Sequence, residues 1–208
     1  PHMMPRQQMI ETSELPGSAE RFRQSVAAHE KLTDGGYAAI GFDHFAAPAD
    51  SLATAAARGT VRRNFQGFTD DPAEIVVGMG SSAISMFPEL IAQNEKRGGF
   101  YRRSARQGAL ATPRGVARTA EDRFRGAIIE QLLCQGRCDV AAIAQAHAQD
   151  PAGVIEAFDR LAPFAARGLV ALDGWNVALP RAARPYARIV ASVFDAYRNP
   201  AARFSRAV

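Results

Sequence analysis

A unit that occurs twice in the first half of the chain constrains the fold most: a short apolar run, then polar or glycine residues, then a helical pattern. The run Tyr37–Phe42 opens the first unit, and Glu74–Val77 opens the second, which continues through the turn Gly78–Gly80 to a stretch beyond Pro88 that we expect to be helical. Alternating strands and helices favour a parallel sheet with its chemistry at the carboxyl ends of the strands. Two strands cannot close a barrel alone. If this half is an α/β partial barrel remnant, the missing strands lie upstream of residue 1.

Helix signals flank these apolar runs. Apolar residues at helical spacing from Glu20 to Thr33 predict a helix that stops at Gly35 and Gly36. Asp50 is placed to cap a second helix over residues 51–58. The first half is therefore predicted to alternate between helices and short strands.

The sequence changes character at Thr112–Gly115, where we place a domain boundary between residues 1–115 and 116–208. Thr119 and Asp122 have the spacing of a capping box, and the chain after them is rich in alanine. The predicted order is a helix from Thr119 to Gly136, helices over 140–148 and 152–166, strands over 168–172 and 175–179 joined at Asp173-Gly174, and a helix over 182–197. This order predicts an α-helical, winged-helix-like carboxy-terminal domain with a β-hairpin.

Arginine supplies most of the positive charge. The formal net charge is +4, and all but two of the 25 basic residues are arginine, whose planar guanidinium suits carboxylate and phosphate partners. Eight arginines lie between Arg97 and Arg125 and six between Arg181 and Arg206. Either cluster is a surface for an anionic ligand or partner, or simply a solvated face.

The composition is that of an ordinary globular protein, with 47% hydrophobic and 22% charged residues. No apolar run approaches the roughly 20 residues that a membrane-spanning helix needs. Two cysteines and no secretory leader favour a cytoplasmic location. We interpret Pro1–Met3 as the remnant of a cleaved expression tag and leave it out of the fold prediction.

Cys134 and Cys138 have the Cys-x3-Cys spacing with which some iron–sulfur motifs begin. A third thiolate would be needed at position 141, which is Ala141. Cys134 also lies on the inward stripe of a predicted helix, where a free cysteine behaves as a small apolar residue. We therefore predict no metal site in this chain.

Asp43 and His44 follow an apolar strand, so an α/β fold would place both side chains at a site above the sheet. A histidine beside a carboxylate can donate a proton or anchor a ligand by hydrogen bonding. The alternative is that the pair caps the following turn or satisfies buried polar groups. Either role is compatible with the sequence.

Two further segments could contact a ligand. Residues 62–68 combine two arginines, two amides and two aromatic rings, so Phe65 could stack on a base that Gln66 reads, or the loop could be a charged turn anchored by buried rings. The turn Gly78–Gly80 follows a strand as in dinucleotide sites, but Pro88 interrupts the helix that such a fold requires. We interpret it as a close backbone approach to some ligand or as a structural turn.

The helices over 140–148 and 152–166 could instead form a helix-turn-helix that reads DNA. Glu156 and Asp159 on the second of them would oppose contact with phosphates. A winged-helix module that binds nucleic acid or protein is the alternative function, and a winged helix used only as a structural cap is the simpler interpretation.

One family matches these segments together. The chain resembles the anaerobic, oxygen-independent coproporphyrinogen III oxidases from about Pro5 onward, and the run from Arg63 to Thr69 is the most specific part of the resemblance. The matching segments are Gly41–Ala46, Pro48, Arg63–Thr69, Gly78–Gly80, Ser82–Met86, Ala92–Asn94, Gly168–Val170 and Phe204–Arg206.

This resemblance implies a radical S-adenosylmethionine enzyme of haem biosynthesis with a [4Fe–4S] cluster, two S-adenosylmethionine molecules and an electron donor. It implies coproporphyrinogen III as substrate, decarboxylated oxidatively to protoporphyrinogen IX, with no nucleic-acid or membrane partner. At matching positions, Phe65, Gln66 and Ile84 would contact the second S-adenosylmethionine, and Asp43 and His44 are weaker candidates for the substrate site.

The resemblance also implies what this chain lacks. The three-cysteine cluster motif of the family, and most of its first S-adenosylmethionine site, belong to an amino-terminal half that these residues do not match. We therefore expect the chain alone to be inactive, with no catalytic residue of its own. An incomplete sheet would expose apolar edges, so dimerisation through such an edge is a further expectation.

Overall fold

A computed structural model describes residues 11–198, except the side chain of Thr12. Pro1–Met3 and Phe204–Arg206, which entered the sequence argument, lie outside the described residues. The described part contains seven α-helices and ten short strands, and the strands form four small sheets. No helix in this part is long and apolar enough to span a bilayer.

The helices are α1 (Ser18–Asp34), α2 (Ser51–Arg58), α3 (Gly98–Arg106), α4 (Ala120–Gln135), α5 (Val140–Ala146), α6 (Ile155–Ala165) and α7 (Ala187–Ala191). The strands are β1 (Ala38–Ile40), β2 (His44–Ala46), β3 (Arg62–Arg63), β4 (Phe68–Thr69), β5 (Ile84–Phe87), β6 (Leu90–Gln93), β7 (Arg114–Ala117), β8 (Arg137–Asp139), β9 (Ala171–Asp173) and β10 (Asn176–Ala178). Short 3-10 turns cover Thr12–Glu14, Pro151–Val154, Arg181–Tyr186 and Ser192–Phe194.

Capping residues confirm several predicted helix starts. The Asp50 carboxylate accepts a hydrogen bond from the Leu52 amide at 2.8 Å and begins α2. At α4, the Thr119 hydroxyl and the Asp122 carboxylate form the complete capping box. The hydrogen bond from the Thr119 amide lowers the pKa of Asp122, which favours the charged, capping form of its carboxylate. The Tyr197 hydroxyl also donates to this carboxylate, at 3.2 Å.

The predicted parallel sheet is wrong for the described residues. All strand pairs there are antiparallel: β1 pairs with β2, β3 with β4, and β5, β6 and β7 form a meander. The segment 74–77 forms only an isolated bridge, between Val76 and Met86. The stretch beyond Pro88 is also not helical, because Pro88 and Glu89 form the two-residue turn that joins β5 to β6.

The second half follows the predicted order more closely. β8, β10 and β9 form one antiparallel sheet, with β9 and β10 joined across Gly174 in the left-handed region at φ +54°. Helices α4, α5 and α6 pack on this sheet or on each other. The prediction of one continuous helix over residues 182–197 is wrong. Pro185 lies within a 3-10 turn there, and only Ala187–Ala191 is α-helical.

Buried apolar side chains of the described part form two clusters that share one helix. The larger cluster belongs to the second half and contains Phe124, Ile128 and Leu132 of α4. The smaller cluster joins β1, β2 and α2, and it also contains Cys134 of α4. One helix therefore contributes side chains to both cores.

Candidate functional site

An aromatic cluster joins the end of β1 to the β3–β4 hairpin. The Phe68 ring meets the Phe42 ring edge-on at 5.6 Å and the His44 ring at 5.0 Å between centroids. The Arg63 guanidinium lies 4.8 Å from the centre of the Phe68 ring and 5.5 Å from that of Phe42. Such cation–π contacts stabilise by about 0.5–2 kcal/mol, depending on burial. The cluster fixes the hairpin against the strand end that carries the Asp43–His44 pair.

This packing requires glycine at position 41. Gly41 has φ +60°, and a Cβ built there would lie 2.1 Å from the Phe68 ring. No side chain larger than hydrogen fits while the ring stays in place. Gly41 therefore sets how closely the hairpin approaches β1.

The structure brings Asp43 and His44 together with the predicted ligand loop. His44 Nδ1 lies 2.5 Å from an Asp43 carboxylate oxygen, and both side chains are exposed. The other ring nitrogen, Nε2, faces Gly67, where a Cβ would come within 3.3 Å. The imidazole therefore lies directly behind the turn that carries Phe65 and Gln66.

The tip of the hairpin presents Phe65 and Gln66 to solvent. The Asn64 side-chain oxygen accepts a hydrogen bond from the Gln66 amide at 2.8 Å, and the Asn64 amide donates to the Gly67 carbonyl at 3.0 Å. The Phe65 side chain is 52% exposed, although it is a large apolar residue. An ordered turn that exposes a ring beside an amide is suited to stacking a flat heterocycle and hydrogen bonding its edge.

Glu130 of α4 anchors the hairpin from the other side. Its carboxylate accepts a hydrogen bond from the Arg63 amide at 2.9 Å and lies 3.5 Å from Arg62 Nε. Sequence reasoning missed both Arg63 and Glu130. Arg63 stood within the specific motif without an assigned role, and nothing in the helical pattern of α4 distinguished Glu130.

The glycine turn is held by side chains of its own sheet and of α3. The Gly78 amide donates to the Ser85 hydroxyl at 2.9 Å, and the Gly80 amide donates to the Tyr101 hydroxyl at 3.0 Å. The buried Asn94 amide group donates to the Gly78 and Gly80 carbonyls at 3.0 and 2.9 Å. Both glycine amides are therefore occupied within the protein, which favours the structural interpretation of this turn.

Residues that flank the two turns line a common cleft. A small cleft of about 40 Å³ lies between the β3–β4 hairpin and residues 73–86, and Arg63, Asn64, Val76 and Met86 are among its lining residues. Ile84 is half-buried in β5, beside the Gly78 backbone and two residues from Met86. The structure thus groups Asp43, His44 and the Phe65 turn, while Ile84 belongs to the neighbouring sheet.

The two cysteines do not suit a metal or cluster. Burial is the main cause that raises the pKa of the Cys134 and Cys138 thiols to about 12, so both are protonated at neutral pH. Within residues 11–198, no group of three or more histidine, cysteine or acidic side chains is arranged to hold a metal ion. A [4Fe–4S] cluster therefore does not fit the residues described.

Comparison with known proteins gives one consistent result. The chain is 39% identical, over its whole length, to oxygen-independent coproporphyrinogen III oxidase from Bradyrhizobium diazoefficiens and 35% identical to that of Escherichia coli, and it covers 46% of each. It also matches the solved structure of coproporphyrinogen III oxidase from Escherichia coli, which is described as a radical SAM enzyme. The TM-score is 0.82 and the sequence identity 36%, and the match covers 90% of this chain and 44% of the Escherichia coli chain. The chain thus spans about half the length of these relatives. No family model matches.

Proposed function

We propose that this chain supplies the carboxy-terminal half of a radical S-adenosylmethionine oxidoreductase. The chain is homologous over its whole length to the carboxy-terminal half of oxygen-independent coproporphyrinogen III oxidases. The proposed reaction is the oxidative decarboxylation of coproporphyrinogen III to protoporphyrinogen IX. S-adenosylmethionine, when bound beside a reduced [4Fe–4S] cluster, supplies the organic radical for this chemistry. Because the described residues do not suit a cluster, we propose that its ligands lie in the other half and that this chain alone is inactive.

The observation that carries the proposal is the exposed Phe65 ring beside Gln66 on an ordered hairpin turn. We propose that Phe65 stacks on the adenine of S-adenosylmethionine and that the Gln66 side chain hydrogen bonds its edge. Ile84 would contribute an apolar contact from β5. The whole enzyme would hold two S-adenosylmethionine molecules, of which this hairpin serves the second.

The Asp43–His44 pair has a separate proposed role. A carboxylate at hydrogen-bonding distance from Nδ1 orients the imidazole. We propose that His44 braces the turn through Gly67 and that the Asp43–His44 pair lies at the substrate site. The arginine-rich composition also supports a substrate with several carboxylates.

We propose a winged helix as the fold of the second half of the chain. The order α4, β8, α5, α6, β9 and β10, with β8 paired to β10, supports it. Exposed Glu156 and Asp159 on α6 disfavour phosphate contact, so we propose a structural cap rather than a nucleic-acid reader. Sequence-specific binding of duplex DNA at physiological salt would refute this part.

Binding of S-adenosylhomocysteine tests the adenosyl site without redox chemistry. Titration calorimetry on this chain should detect a single site, and Phe65→Ala should weaken it by about 5- to 150-fold, the equivalent of about 1–3 kcal/mol for one stacked base. Phe100→Ala is the matched control, because Phe100 is similarly exposed but lies on α3. Equal weakening by both substitutions would rule out the proposed stacking site.

A further inference from the structure

Two arginines, one from each half of the chain, face the same aromatic ring. The Arg63 guanidinium lies 5.5 Å from the centre of the Phe42 ring, and the Arg188 guanidinium of α7 lies 5.8 Å from it. The two guanidinium carbons are therefore no farther apart than the sum of these distances. Because like charges held this close repel each other, an anion that contacts both would stabilise the arrangement.

Neither guanidinium is neutralised by a carboxylate of the described part. Among residues 11–198, Glu130 pairs with Arg62, Asp43 lies against His44, and no ion pair includes either guanidinium that faces Phe42. The positive charge at this junction is thus available to a ligand.

The Arg63 side chain also has an unpaired donor. Its Nη1 atom is buried and has no hydrogen-bond partner among the described residues. The residue as a whole is only half-buried, so a ligand can still approach the guanidinium. Removing a charged donor from water without a partner is unfavourable, and a bound anion would offset that cost.

Packing from both halves holds the ring between the arginines. The Phe42 ring meets Phe68 edge-on and also packs against the large core of the second half. Two residues before Arg188, the Tyr186 ring stacks on Phe22 of α1 with centroids 5.7 Å apart. This packing reduces the entropic cost of bringing both guanidiniums to one ligand.

The chemistry of the pair fits a ligand with several carboxylates. A guanidinium donates two parallel hydrogen bonds to a carboxylate, which a lysine ammonium cannot do. Arg63 also lies on the β3–β4 hairpin, two residues before the exposed Phe65 ring. A ligand held by Arg63 and Arg188 would therefore lie beside the proposed adenosyl site.

We infer that Arg63 and Arg188 bind carboxylates of the porphyrinogen substrate, so that the helical half contributes a substrate contact in addition to its structural role. The inference rests on the proposed function, because the proposed reaction supplies the ligand with several carboxylates. It identifies two substrate-binding arginines among the many in the chain.

Coproporphyrin III tests the inference without redox chemistry, because it is fluorescent and keeps the carboxylates of the proposed substrate. Titration with this chain, followed by fluorescence anisotropy, should reveal one site. Arg188→Ala should weaken binding at least about tenfold, the loss expected when a charged hydrogen bond is removed. Arg188→Lys and Arg63→Lys should also weaken it, because lysine keeps the charge but not the planar fork. Arg160→Ala, which removes another exposed arginine, from α6, should leave the affinity unchanged.

A second ligand identifies the source of the carboxylate. S-adenosylhomocysteine also carries a carboxylate, and Arg188→Ala should leave its affinity unchanged. A loss confined to S-adenosylhomocysteine would assign the arginines to the adenosyl ligand and overturn the inference. Absence of coproporphyrin III binding, an unchanged affinity in Arg188→Ala, or equal losses in Arg188→Ala and Arg160→Ala would also overturn it. If the chain binds coproporphyrin III through Arg188 but does not bind S-adenosylhomocysteine, the proposed adenosyl site fails while the carboxylate site stands.

Discussion

Replacing Gly41 with alanine tests whether the aromatic cluster fixes the candidate site. The new Cβ would lie 2.1, 2.6 and 2.7 Å from three Phe68 ring atoms. The ring has little room to retreat, because Phe42, His44 and the Arg63 guanidinium surround it. Overpacking costs about 1–3 kcal/mol, and a non-glycine residue in the left-handed region costs about 1–2 kcal/mol. We expect Gly41→Ala to lower the free energy of unfolding by about 2–5 kcal/mol.

Urea unfolding monitored by circular dichroism provides the measurement, and Gly59 provides the control. Gly59 has φ +70°, and a Cβ there meets nothing within 4 Å, so Gly59→Ala should cost only the backbone strain of about 1–2 kcal/mol. Replacing the Phe68 ring with a smaller side chain, Phe68→Leu, should recover part of the stability lost by Gly41→Ala in the double variant, because positions 41 and 68 are in contact. Equal losses for Gly41→Ala and Gly59→Ala, with no coupling to position 68, would refute the steric argument.

Three further changes have defined outcomes. Glu130→Gln should lower stability by about 1–2 kcal/mol in urea unfolding, because the Arg63 amide loses a charged acceptor. Asn94→Ala should cost about 2–4 kcal/mol and should speed hydrogen exchange in the 78–80 turn, since three hydrogen bonds are lost from a buried amide. Cys134 and Cys138 should resist an aromatic disulfide reagent at pH 8 until denaturant is added. Their pKa is about 12 in the folded protein and about 9 in the unfolded chain, so the free energy of unfolding should fall as pH rises from about 9 to about 12.

Controls separate each effect from a general loss of stability. Glu156→Gln, an exposed carboxylate on α6, should change stability by less than about 0.5 kcal/mol. Gln93→Ala removes one exposed hydrogen bond to the Ser82 carbonyl and should leave exchange in the 78–80 turn unchanged. Complete modification of both thiols within minutes in the folded protein would contradict their burial.

Local signals in the sequence were sufficient for most helices. The Asp50 cap, the Thr119–Asp122 box and the stop at Gly136 each depend on residues within a few positions of the helix end, so they can be recognised without tertiary information. The Asp173-Gly174 turn similarly located the β9–β10 hairpin.

The antiparallel meander could not be predicted in the same way. Strand 84–87 pairs with 90–93 across a proline-containing turn, and the period of such short runs does not separate a strand from a helix start. The site shows the same limit. The Phe65 motif was visible in the sequence, but Glu130 supports it from 67 residues away, through a contact that no local pattern encodes.

Because α4 contributes Cys134 to the small core and Phe124, Ile128 and Leu132 to the large one, the two halves of the chain are thermodynamically linked. Cutting the polypeptide between β7 and α4 would leave the amino-terminal fragment without one wall of its interior. Ligand binding at the β3–β4 hairpin should correspondingly slow amide exchange within α4 and raise the melting temperature of the helical half.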